Sequence, residues 1–212
     1  MSQKVTAELV GQLREQTGAG IMACKQALVE ADGDFDRARD VLRTKGLASA
    51  EKRKGRETRE GLVDSYIHPG GRIGVLLEVN CETDFVARTD VFKALVHDLA
   101  LQVATSSPRW VRREEVPPAE LERERAIYRE QALAEGKGAD RLEQIVDGRL
   151  RKFYELFCLY DQPFLRDEGG KARRVEQVIQ EAIATTGENI GVARFSRYQL
   201  GELLEASEPD GA

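Results

Sequence analysis

Two histidines, His68 and His97, and three cysteines, Cys24, Cys81 and Cys158, are the whole stock of imidazoles and thiols in this 212-residue chain. Neither histidine has an obvious sequence partner, so there is little material for a metal cluster or a histidine-activated nucleophile. The cysteines are odd in number, far apart and free of any C-x-x-C spacing, which points to buried reduced thiols rather than disulfides or a zinc site. The chain also lacks a G-x-x-x-x-G-K-[ST] loop, a G-x-S-x-G elbow and an H-E-x-x-H helix. Gly18-Ala19-Gly20-Ile21-Met22-Ala23 does match the dinucleotide fingerprint G-x-G-x-x-G/A. A Rossmann loop must follow a strand, however, and this one follows an amphipathic helix outside any βαβ unit, so it reads as a tight interhelical turn. Such a turn also lets a partner's backbone come close. No catalytic residue, bound metal or cofactor is expected, and the chain reads as a protein that acts through contacts.

The most unusual stretch is Asn80-Cys81-Glu82-Thr83-Asp84-Phe85-Val86. An apolar strand stops there, and a large aromatic stands between a carboxylate and the start of a helix. Phe85 is either a packing residue or an exposed probe, and its neighbours in sequence do not decide between the two.

The elements around it follow from periodicity. Thr6 caps a first helix on Leu9, Val10 and Leu13, ended by Thr17-Gly18-Ala19-Gly20. A second helix runs from about Ile21 to Ala31. Asp32-Gly33-Asp34 turns the chain into a third on Phe35, Ala38, Val41 and Leu42, which the pattern ends at Gly46. Glu51 to Glu60 is charged, has no apolar stripe and reads as an exposed linker or frayed helix whose basic residues could also touch RNA. Next comes a hairpin of residues 62–68 and 72–80 about Pro69-Gly70-Gly71, with Ile73, Val75, Leu77 and Val79 on one face. Thr89 or Asp90 caps a helix on Phe92, Leu95, Val96, Leu99, Ala100 and Val103. After Pro117-Pro118, a seam of Leu121, Tyr128 and Leu133, then Leu142, Ile145, Val146, Leu150 and Phe153, predicts an antiparallel helical hairpin. A helix on Val175, Val178, Ile179, Ala182 and Ile183 closes at Gly187, and a last strand of residues 190–200 joins the sheet.

The predicted fold class is α+β: an N-terminal three-helix domain, then a core of three-stranded antiparallel sheet packed with helices and a coiled-coil-like hairpin. The expected division is residues 1–47, a linker at 48–60, the core at 61–204 with its helical hairpin at 118–154, and a mobile tail at 205–212. A net charge of −5, from 37 acidic and 32 basic side chains, argues against a protein whose affinity comes from neutralising phosphates. No window approaches the ~20 apolar residues of a membrane span and the N-terminus has no signal-peptide run, so a cytoplasmic protein is expected.

Five segments taken in order carry a resemblance: residues 13–20 (Leu-Arg-Glu-Gln-Thr-Gly-Ala-Gly), 80–87 (Asn-Cys-Glu-Thr-Asp-Phe-Val-Ala), 148–153 (Gly-Arg-Leu-Arg-Lys-Phe), Gln162-Pro163-Phe164 and Gly187-Glu188-Asn189-Ile190. Together they resemble the elongation factor Ts family over almost the whole chain, with Thr-Asp-Phe-Val the most diagnostic piece. The resemblance implies a ubiquitin-associated-like N-terminal domain and a nucleotide exchange factor for the GTPase elongation factor Tu, with no nucleotide bound by this chain itself and no enzyme chemistry.

In that family the Asp-Phe pair enters beside the GTPase's nucleotide site and disturbs Mg²⁺ coordination and the phosphate loop. By motif this falls on Asp84 and Phe85, flanked by Thr83 and Val86. Leu13, Arg14, Thr17, Gly18, Ala19 and Gly20 correspond to a second contact on the same GTPase domain. His68, Gly70, Gly71 and Arg72 resemble a core segment that meets another domain. Longer family members carry a doubled core, for which this sequence has no counterpart, so two copies are expected to pair as a homodimer. Glu82 stands where the family often has glutamine, and no role follows for it. Alternatives from other classes are a peptide-binding helical module and an RNA-binding role for Lys52 to Arg59.

Overall fold

Residues 5–136, 138, 141–167 and 172–202 are described by a computed structural model; the expected tail at 205–212 lies outside them. Contacts along the chain divide it into two units, one of residues 1–62, 79–95 and 177–191 and the other of 63–78, 96–176 and 192–212. The three strands, β1 (Glu60–Ile67), β2 (Ile73–Cys81) and β3 (Ile190–Gln199), form a sheet in the order β1-β2-β3.

In the first unit, α1 (Ala7–Thr17) begins at Thr6, whose side chain accepts the Leu9 N–H at 3.2 Å. It ends where Gly18 turns left-handed, at φ 65°, and gives its N–H to Arg14 O. Next come α2 (Ile21–Glu30) and α3 (Phe35–Arg53), the latter capped by Asp34 at 2.9 Å from the Arg37 N–H. Val10, Leu13, Cys24, Ala27, Leu28, Ala31 and Ala38 close a small core between the three helices. The sequence reading ends the third helix at Gly46, and the structure corrects this: α3 continues to Arg53. A glycine inside a helix costs about 1 kcal/mol, and here it serves an approach. A Cβ on Gly46 would lie 3.0 Å from Cβ of Ala184 in α8 (Val175–Thr186). The same unit holds the base of the hairpin, where a Cβ on Gly61 would stand 2.2 Å from Val79 O, so only glycine fits. It also holds the start of α5 (Asp90–Ser106), with Phe92 fully buried.

In the second unit the hairpin tip is closed by the His68 N–H to Ile73 O at 2.9 Å, with Gly70 and Gly71 both at positive φ. Leu200 N–H bonds Arg72 O, and Arg194 pairs with Glu78 at 2.8 Å, so β3 runs antiparallel to β2. The strand alternation holds: Val75 and Leu77 are buried and Leu76 is exposed. The expected helical hairpin is present as α6 (Pro118–Ala134) and α7 (Leu142–Phe157). Val146, Leu150 and Phe153 form its buried stripe, but Leu133 is exposed and Ala132 takes the inner position instead. At its base Val116, Phe153 and Cys158 gather Trp110, Leu121, Tyr128, Tyr154 and Phe157. Gln162 of the Gln-Pro-Phe motif is a buried bracket: its amide donates to Leu156 O at 2.8 Å and accepts from Gln102 at 3.2 Å.

Candidate partner-binding site

The strand-to-helix corner is more structured than its sequence suggests. Thr83, just after β2, caps a four-residue helix, α4 (Asp84–Ala87). Its hydroxyl accepts the Val86 N–H at 3.4 Å and donates to Glu188 Oε1 at 2.6 Å. The Thr83 backbone N–H donates to the other oxygen of Glu188 at 3.0 Å. One residue earlier, Glu82 accepts the Asn189 N–H at 2.6 Å and faces Arg56 at 3.5 Å, while the Asn189 amide donates to Arg56 O at 2.8 Å. Glu82 is thus a tie between the end of β2 and the corner before β3, rather than a charge aimed at a partner.

On this frame the four motif residues divide. Val86 is buried, and Thr83 is half-buried and fully hydrogen-bonded. Asp84 pairs with Arg88 one turn on, at 2.8 Å, with its carboxylate still partly open to solvent. Phe85 is 78% exposed, so it is not a packing residue of this unit. A large aromatic left in water on a braced turn is an unspent contact surface.

The N-terminal turn belongs to the same unit. Thr17 Oγ1 donates to Leu13 O at 2.7 Å and accepts the Ala19 N–H at 3.3 Å, while Cys24 Sγ donates to Ala19 O. Arg14, Gly18 and Gly20 face solvent, whereas Leu13 is fully buried in the core of the three helices. Ile21 and Met22, directly after the turn, are 54% and 73% exposed. Sequence reading gave them no role, although two apolar residues opening a helix after a glycine turn are a readable signal. A Cβ on Gly18 would meet the Thr185 methyl at 3.2 Å, which seats the turn against the last turn of α8.

In the other unit His68 Nδ1 lies 3.0 Å from the Tyr66 hydroxyl, and Gly70, Gly71 and Arg72 are exposed at the hairpin tip. An open cavity of about 500 Å³ is lined there by Ile67, Gly71, Arg72, Leu76, Tyr198 and Leu200.

The thiols are placed for packing. Burial, helped by the Glu188 carboxylate, pushes the Cys81 thiol from 9.0 up to about 11. Burial, with Asp161, pushes Cys158 up to about 12. Neither is activated as a nucleophile. Among the described residues no group of three or more His, Cys, Asp and Glu could hold a metal ion, and no helix is long and apolar enough to cross a membrane. In the charged connector Lys54 pairs with Glu51, Arg56 with Glu82 and Arg59 with Glu57.

The fold class is α+β, with an exposed aromatic on a capped turn and a glycine turn in one unit. Residues 47–202 match the family model for elongation factor Ts. The chain is 52% identical to elongation factor Ts of Carboxydothermus hydrogenoformans over 98% of its own length and 94% of that protein. It is 54% identical to the Fervidobacterium nodosum protein of that name, over 94% of its own length and all of the relative's. It is 53% identical to that of Syntrophomonas wolfei, covering 98% and 96%. The chain belongs to the elongation factor Ts family, and its role lies in the elongation stage of protein synthesis.

Proposed function

We propose that this protein is a guanine nucleotide exchange factor that binds elongation factor Tu carrying GDP, promotes GDP release and lets GTP rebind, in the cytoplasm and without chemistry of its own. The observation that carries this reading is Phe85, exposed on a capped turn that Glu188 braces. GDP in such a GTPase is held by phosphate-loop amides, a lysine and a shared Mg²⁺, all dependent on geometry, so a small displacement loses several contacts together. Asp84 and Phe85 enter beside that site, Thr83 and Val86 hold them, and the turn at Arg14 and Thr17 to Gly20, extended by Ile21 and Met22, grips the same GTPase domain. Burying one Phe supplies about 1.5–3 kcal/mol, or roughly one to two decades in rate, so the second contact is required. Linkage makes the effect reciprocal: the factor weakens nucleotide binding by the same ratio as nucleotide weakens factor binding.

The hairpin tip at His68, Gly70, Gly71 and Arg72 meets another domain of the GTPase in this reading. The homodimer expected of a single-core form has an apolar surface available on the sheet, supported by the exposure of Ile67, Leu76, Tyr198 and Leu200. Light scattering at micromolar concentration tests it, and a monomer mass overturns it. Acidic partners of Lys54, Arg56 and Arg59 weigh against the RNA-binding alternative.

The deciding experiment loads elongation factor Tu with fluorescent GDP and follows release into excess unlabelled nucleotide. Acceleration by catalytic amounts of this protein is expected. Release at the intrinsic rate overturns the reading.

A further inference from the structure

A four-residue helix cannot hold its own shape, because nucleating a helical turn is unfavourable until longer stretches or outside contacts support it. α4 is that short; Val86 and Ala87 bury their side chains, and its capping residue Thr83 is bonded by the corner that joins α8 to β3. The Thr83 hydroxyl has one proton, which it gives to Glu188 Oε1 at 2.6 Å. That donation fixes the rotor so that a lone pair faces the Val86 N–H. Glu188 therefore does more than anchor Thr83: through its charge it selects the hydroxyl orientation that caps α4, and a bond to a carboxylate is stronger than one to a neutral acceptor.

The same corner reaches the other contact. Thr185 stands against Gly18 of the N-terminal turn, Ala184 against Gly46 of α3, and Asn189 is tied to Glu82 and Arg56. Ala184, Thr185, Glu188 and Asn189, four residues of one short segment, thus reach α3, the N-terminal turn and the supports of the exposed aromatic.

We propose that Glu188 is the positioning residue for Phe85, holding the aromatic rigid and at a set distance from the N-terminal turn. The proposal rests on the exchange-factor reading, and its test has one arm that does not.

In the free protein, amide hydrogen exchange at Thr83 and Val86 reads the brace directly. Glu188→Ala is expected to speed both roughly tenfold, the size of losing a charge-assisted hydrogen bond. Glu188→Gln, which keeps one acceptor, should fall between, and Val146 in α7 should be unchanged and so report an intact fold. In GDP release from elongation factor Tu, Glu188→Ala is expected to lower the maximal stimulated rate about tenfold and to move the half-saturating concentration by less than about twofold. Added to Phe85→Ala it should cause no further loss, because it acts through that residue. Unchanged exchange at Thr83 and Val86 overturns the proposal, as does a loss that multiplies with Phe85→Ala or appears only in half-saturation. A wild-type protein that fails to stimulate release removes the exchange-factor reading instead, and the hydrogen-exchange arm still decides whether Glu188 holds the corner.

Discussion

Glu188 takes both polar donors of Thr83, the hydroxyl at 2.6 Å and the backbone N–H at 3.0 Å, across 105 residues of sequence. Thr83→Ala removes the cap of α4 and the shorter of those bonds. A lost cap costs about 1 kcal/mol, and the Glu188 carboxylate loses a partner as well, so a destabilisation of about 1–2 kcal/mol is expected from urea unfolding. Thr83→Ser keeps the hydroxyl and should recover most of it. Equal losses for Ala and Ser would show that the methyl, not the hydroxyl, carries Thr83's part.

Phe85 separates activity from stability. Its ring is mostly in water, so Phe85→Ala should change unfolding free energy by no more than about 0.5 kcal/mol. The maximal rate of stimulated GDP release should fall roughly 10- to 100-fold. A variant that releases GDP at the wild-type maximum would remove the aromatic from the mechanism.

Much of this arrangement was legible in the sequence because local rules and tertiary packing agree there. Thr6 and Asp34 cap the helices they precede, the β2 alternation puts Val75 and Leu77 inside, and the α7 period buries Val146, Leu150 and Phe153. What was not legible depends on distant partners. Gly46 reads as a stop because glycine ends many helices, yet Ala184 needs the space it leaves. Glu188 lies in a segment that carries the family resemblance, but nothing local gives it a bracing role: a carboxylate after a glycine is ordinary until Thr83 is brought to it. Leu13 matched a contact motif by position, but its place on the inner stripe of α1 buries it.

Alkaline pH should weaken the fold through its thiols. Cys81 and Cys158 keep their protons in the folded protein to about pH 11 and about pH 12, against an ordinary value of 9.0. A raised folded value contributes stability that is complete below the unfolded value and is lost as pH climbs toward the folded one. The urea midpoint should therefore be level between pH 7 and about pH 8.5 and fall between about pH 9 and about pH 11. Cys81→Ser should flatten part of that fall. An identical slope in the variant would assign the loss to other groups.

Gly18 tests the second contact separately from the first. Its φ of 65° costs an ordinary residue roughly 1–2 kcal/mol, and a Cβ there would press on the Thr185 methyl at 3.2 Å. Gly18→Ala should lower stability by about that amount. Thr185→Ser removes the methyl and keeps the hydroxyl, which donates to Glu181 O at 2.9 Å, so the double variant should recover the steric share and retain the backbone share. In the proposed exchange reaction the turn is assigned grip and Phe85 displacement. Gly18→Ala should accordingly raise the half-saturating concentration about tenfold while the maximal rate stays within about twofold. A fall in the maximal rate at unchanged half-saturation would place the turn in the release step and undo that division of labour.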